Sequence, residues 1–179
     1  MKQILLGVSA SVALYKSCDL ASKLTQAGLS VRCILTENAA KLINPQLFEA
    51  VTGQSAHVSE WGTDRKGAMD HIDLARWGEA LIVAPATADW MARTSHGFAN
   101  DLLTTVQLAF EADKPRLMCP AMNPTMLEAP AVQRNLKQLR TDGWQVVDPG
   151  EGHTACGEQG QGRMAEPQEI AAHVLAWFA

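Results

Sequence analysis

The sequence predicts an α/β fold: a doubly wound, three-layer sandwich in which helices cover both faces of a parallel sheet. Short apolar runs alternate with longer stretches whose apolar residues recur at helical spacing. Glycine and proline punctuate the joins between them. Helical stretches of about ten residues between strands are long enough for right-handed crossovers, which makes the strand pairing parallel.

Gln3 to Val8 is the first strand, bounded by Gly7 and serines. Ala13, Leu14, Cys18, Ala21 and Leu24 then follow at helical spacing, and Gly28 ends that helix. Leu29 to Leu35, rich in β-branched residues, is the second strand, closed by Thr36, Glu37 and Asn38; a helical pattern runs from Ala39 to Val51. The third strand is Ala80 to Ala84, stopped by Pro85. Thr87 to Ser95 and Asp101 to Glu111 read as helices and Arg116 to Cys119 as the fourth strand. A helix from Met126 to Asp142 ends at Gly143, and Trp144 to Val147 is the fifth strand. Pro167 to Phe178 is a closing amphipathic helix with proline first, where a missing N–H costs nothing. Two stretches carry no periodicity: a polar, Gly-rich loop from Gly53 to Asp70 and a Gly-rich segment from Pro149 to Pro167, expected to be a mobile flap.

At 179 residues the expectation is one domain spanning 1–179. With 47% hydrophobic residues it has a core to bury. A net charge of −4 without any run of lysine or arginine lacks the electrostatic footprint of nucleic-acid binding. No apolar segment approaches the ~20 residues of a membrane helix, and Ile4 to Val8 is too short for a signal-peptide core. The expected location is the cytoplasm, with neither membrane nor nucleic acid as partner. Cys18, Cys33, Cys119 and Cys156 lie far apart with no C-x-x-C pair. The first three sit in helix or strand contexts, as small buried hydrophobes do; Cys156 does not. No metal site is expected, because His153 near Cys156 has no matching second pair of ligands.

Whether the strand order is Rossmann-like or flavodoxin-like, a doubly wound sheet binds ligands outside the carboxyl ends of its strands. The segments there are Gly7 to Ser11, Thr36 to Asn38, Pro85 to Asp89 and Pro120 to Asn123. The first lacks the G-x-G-x-x-G fingerprint, so a dinucleotide is not favoured. Ser9 and Ser11 suit a phosphomonoester at a helix N-terminus, or are ordinary serine caps; Thr36 adds one more hydroxyl. Small residues after Pro85 and Pro120 leave a slot for a planar ring, or merely stop a strand. His71 is a candidate base, or a satisfied structural histidine. Cys156 on a flap is a candidate reagent, with Arg163 as its neighbouring anion partner.

Together these segments resemble the homo-oligomeric flavin-containing cysteine decarboxylase family. The likeness runs over essentially the whole chain: SASVALYK at 9–16, HIDLARW at 71–77, PATAD at 85–89, GFANDL at 97–102, PAMNPTM at 120–126 and CGEQGQGRM at 156–164. The last two, as a pair, point to the members that decarboxylate 4′-phosphopantothenoylcysteine in coenzyme A biosynthesis. The resemblance implies FMN, met by Ser9, Ala10, Ser11, Thr36, Ala86, Thr87, Asp89 and Ala121. It implies His71 and Cys156 as catalytic residues, Asn123 for the substrate carboxylate, and Met126, Ala155, Gly157 and Arg163 as further substrate contacts. Departures from the family pattern fall at Ala10, Asp89, Leu127 and Glu158.

The implied route oxidises the carbon bearing sulfur, so that the carboxylate sits β to a thioaldehyde and CO₂ leaves. The enethiolate is then reduced, with Cys156 as its acid. A homotrimer or homododecamer is implied, with His71 reaching a neighbour's flavin. Two rivals remain: a peptidyl-cysteine oxidative decarboxylase, against which Cys156 argues, and a non-enzymatic flavoprotein regulatory subunit, whose acidic extensions are missing here. A ligase joining cysteine to phosphopantothenate is expected to be either absent or a separate partner, since nothing after Ala179 encodes one.

Overall fold

The computed structural model describes residues 1–61, 69–153, 157 and 159–178. Six strands form one parallel sheet in the order β3-β2-β1-β4-β5-β6: β1 (Gln3–Val8), β2 (Ser30–Leu35), β3 (Ala56–His57), β4 (Ala80–Ala86), β5 (Arg116–Pro120) and β6 (Gln145–Val146). β7 (Gly150–His153) and β8 (Gln159–Arg163) form a separate antiparallel hairpin.

Successive side chains of a strand face opposite ways, and both faces of this sheet are covered. Ile4, Leu6 and Val8 of β1 point into one core. It is closed by α1 (Tyr15–Gln26), α3 (Gln46–Thr52) and α9 (Pro167–Ala176) through Leu20, Leu24, Phe48, Ile170 and Val174. Leu5 points into the other, against α4 (Asp70–Trp77), α5 (Ala88–Ser95), α6 (Leu102–Ala109) and α8 (Pro130–Thr141). β1 leaves through the first layer and β4 through the second, so a crevice opens between their carboxyl ends, the switch point of a doubly wound sheet. The expected three-layer α/β sandwich is the observed fold.

Several boundaries differ from expectation, and prolines explain most of them. The predicted helix Ala39–Val51 is two helices, α2 (Glu37–Leu42) and α3, parted by Ile43 in extended conformation and by Pro45. The Asn44 side chain accepts from Gln46 N–H at 2.9 Å and restarts the chain there. The predicted helix Met126–Asp142 is likewise α7 (Pro124–Glu128) and α8, because Ala129 precedes Pro130 and takes ψ 131°. β4 does not stop at Ala84: it runs on to Ala86 with a register shift against β5. α4 and β3 lie within or just after the stretch read as a loop.

The Gly-rich segment predicted as a flap is, in its described part, the β7–β8 hairpin, docked on the loop after β5. Gly162 O accepts from Met122 N–H at 3.1 Å, and a Cβ at Gly162 would lie 2.2 Å from Met122 O. Beyond the hairpin, buried Lys16 donates to Met164 O at 3.1 Å and Glu166 Oε1 at 2.7 Å. Its ammonium holds the Glu166 carboxyl below the usual carboxylate range. We expect Gly162→Ala to push β8 off this loop and raise amide exchange at Met122 by at least about tenfold, roughly the ~1–3 kcal/mol of an overpacked site. Exchange at the wild-type rate would show that the docking does not depend on that close approach.

Cys33 and Cys119 are buried, and burial pushes both thiols well above their ordinary range; half-buried Cys18 moves the same way, first by burial and then by Asp19. Cys33 and Cys119 are inert core thiols, as their sequence contexts predict, whereas Cys18 lies only partly buried at the edge of the first core. Among the described residues no helix is long and apolar enough to cross a membrane.

Candidate active site

The crevice at the switch point is a cleft of about 690 Å³, within the range of small-molecule sites. Four strand-end segments build its walls, the same four that the sequence marks as chemically odd.

Ser9, at the end of β1, is buried and braces two of these segments together. Its Oγ donates to Pro85 O at 2.7 Å and accepts from Thr87 N–H at 3.0 Å. Ser11 caps the short turn Val12–Leu14, Thr36 caps α2 and Thr87 caps α5, accepting respectively from Ala13, Ala39 and Trp90 N–H at 3.2–3.3 Å. A capping hydroxyl spends a lone pair and keeps its proton. Three hydroxyl donors uncommitted among the described residues therefore line the cleft beside the electropositive ends of their helices. Ala10, Ala88 and Ala121 supply small side chains between them. Trp90, edge-on to Trp144 with ring centroids 5.1 Å apart, anchors α5 as a wall.

Of the expected cofactor contacts, Ser9, Ala10, Ser11, Thr36, Thr87, Asp89 and Ala121 line the cleft. Ala86 does not: it is fully buried beneath it, its carbonyl accepting from Ala121 N–H at 3.1 Å. Of the expected substrate contacts, Met126 lines the cleft. Asn123 sits beside it as the cap of α7, its Oδ1 accepting from Met126 N–H at 2.8 Å. That bond fixes the amide orientation and leaves the NH₂ end as a donor for an anion. Arg163 ends β8 away from the cleft lining, with Nη2 3.4 Å from Glu166 Oε1. Gly157 is exposed with φ +85°, while Ala155, Cys156 and Glu158 lie outside the described residues.

His71 is not in this cleft. It stands in the first turn of α4, partly buried, with Nδ1 hydrogen-bonded to the Glu60 carboxylate. Sequence reading missed Glu60, eleven residues away. It marked Glu37 and Asn38 only as part of the segment after β2, and it missed Arg93, Asn100 and Asp101 as residues of the cleft walls. For Arg93 the available signal was its i, i+4 spacing from Asp89 on one helix. Among the described residues no group of His, Cys, Asp and Glu is placed to hold a metal ion.

Coenzyme A biosynthesis bifunctional protein CoaBC of Bacillus subtilis (strain 168) is 41% identical over 178 residues, 99% of this chain and 43% of that protein. The chain thus spans less than half the length of the curated relatives it matches. A cysteine-to-serine mutant of PPC decarboxylase complexed with pantothenoylaminoethenethiol superposes with TM-score 0.86 at 29% identity, covering 99% of both chains. The FMN-dependent cysteine decarboxylase SpaF superposes with TM-score 0.84 at 34% identity, over 100% of this chain and 98% of that one. The model of the family described as Flavoprotein matches residues 1–179, and the chain belongs to that family.

Proposed function

We propose that residues 1–179 act as one FMN-dependent decarboxylase domain, converting 4′-phosphopantothenoylcysteine to 4′-phosphopantetheine in coenzyme A biosynthesis. The observation that carries the reading is the cleft: three capping hydroxyls, three helix N-termini and a row of alanines converge at the switch point. Those features fit FMN. Ser11, Thr36 and Thr87 suit the phosphate and ribityl oxygens, and Ala10, Ala88 and Ala121 leave room for a flat ring. The substrate follows from the CoaBC relatives and the PPC decarboxylase neighbour.

A plain cysteine carboxylate loses CO₂ with difficulty because the resulting carbanion has nowhere to place its charge. FMN, when bound, supplies a reversible two-electron sink. The chain's own residues then bind, orient and move protons. The Asn123 amide donates to the substrate carboxylate and holds it for departure. Glu60 fixes the proton of His71 on Nδ1, so Nε2 presents a lone pair as the base. Cys156, which lies between β7 and β8 in the sequence, protonates the enethiolate.

His71 serves this role in a homotrimer or a multiple of it, where it faces a neighbour's cleft. Val12 and Tyr15, beside the cleft and 69% and 63% exposed, are apolar surface suited to such a neighbour. The enzyme works in the cytoplasm, beside a ligase carried on a separate chain or on further sequence, as the length of the CoaBC relatives suggests. A peptidyl-cysteine oxidative decarboxylase is the second reading, with which the likeness to SpaF, an FMN-dependent cysteine decarboxylase, is compatible. The first test is a visible absorption spectrum: the purified protein is yellow, or becomes so with added FMN. A colourless protein that FMN cannot reconstitute overturns both readings.

A further inference from the structure

On the cleft wall, Arg93, Asn100 and Asp101 play no part in the roles assigned so far, and they surround Asp89, one of the expected cofactor contacts. Arg93 is the sole cation among the described residues lining the cleft, against the carboxylates of Glu37, Asp89 and Asp101. Its guanidinium carries five N–H donors. Nε donates to Asp89 Oδ1 at 3.2 Å, and Nη2 lies 3.0 Å from Asp89 Oδ2. Nη1 donates to Asn100 Oδ1 at 3.1 Å and to Asp101 Oδ2 at 3.4 Å. The other oxygen of Asp101 accepts from Thr104 N–H at 2.8 Å and caps α6. One side chain therefore fixes two carboxylates, one on α5 and one at the start of α6.

Resting on the FMN reading, we infer that Arg93 is a positioning residue of the flavin site. By holding Asp89 and Asp101 and offsetting one of their two charges, it sets the electrostatic potential of the cleft wall and, through it, the reduction potential of the bound flavin. Reduction adds negative charge to a flavin, so an unpaired carboxylate on the wall opposes it and a guanidinium favours it. Without Arg93, two carboxylates are left uncompensated. Without the Asp89 charge, the guanidinium balances Asp101 alone and the wall carries one negative charge fewer than in the wild type. The two substitutions thus act with opposite sign, which loss of packing does not do.

The test is a potentiometric titration of the FMN-loaded full chain, followed by flavin absorbance. Arg93→Met lowers the midpoint by ~30 mV, a tenfold change in the two-electron equilibrium constant. Asp89→Asn raises it, the double variant returns towards the wild-type value, and Arg93→Lys, which keeps the charge, stays near it. Shifts of one sign in both single variants, or no shift in either, overturn the inference and leave the cofactor reading standing. A wild-type chain that takes up no FMN overturns both.

Discussion

His71→Asn is expected to bind FMN like the wild type and to release CO₂ at a rate lower by about 10²–10⁴-fold, the usual worth of a positioned acid or base. The two halves of this expectation have separate structural grounds. FMN binding is kept because the phosphate and ribityl oxygens are assigned to Ser11, Thr36 and Thr87, and His71 does not line the cleft of its own chain. Turnover is lost because asparagine presents no imidazole lone pair where the Glu60 bond aims Nε2. The fold is little affected, since α4 is held by Leu74 and Ala75 in the second core and not by the partly buried imidazole. Glu60→Gln frees the tautomer choice while keeping shape, and costs at least about tenfold in kcat with KM little changed. Turnover of His71→Asn within a few-fold of wild type removes His71 from the mechanism.

Cys156→Ser separates the proposed activity from the peptidyl-cysteine reading. If the thiol is needed only to protonate the enethiolate, its loss leaves oxidation and CO₂ release intact and blocks the last step. The product is then two hydrogens short of phosphopantetheine. A serine hydroxyl is far less acidic than a thiol, whose unperturbed pKa is ~8.5, and cannot take over the transfer. Mass spectrometry of the product reads the outcome. Ordinary phosphopantetheine at a near wild-type rate means that Cys156 is not the acid.

The sandwich was legible because β1, β2 and β5 each carry a short apolar run and α1 keeps its period from Cys18 to Leu24. The breaks at Pro45 and Pro130 were legible too, but apolar periodicity carried across both prolines hid them. α4 escaped because its eight residues, DHIDLARW, bury only Asp70, Leu74 and Ala75, too few to set a period. The hairpin escaped for a different reason: QGQGR has no apolar pattern, and its strands are held by backbone pairing and by the contact of Gly162 with Met122. At the cleft, the strand-end segments could be found because topology dictates where a ligand goes. Arg93, Asn100 and Asp101 meet only through the turn between α5 and α6, and Glu60 meets His71 only once β3 has delivered the chain to α4. Such groupings are properties of the folded chain and leave no local trace.

Whether this cleft carries out a flavin-dependent decarboxylation of phosphopantothenoylcysteine is read in the mass of the product. The FMN-loaded wild-type protein is incubated with phosphopantothenoylcysteine and the mixture read by mass spectrometry. The account predicts phosphopantetheine, lighter than the substrate by one CO₂ and with every hydrogen restored. Unchanged substrate in the presence of bound FMN, or a wild-type product that has lost two further hydrogens, contradicts it.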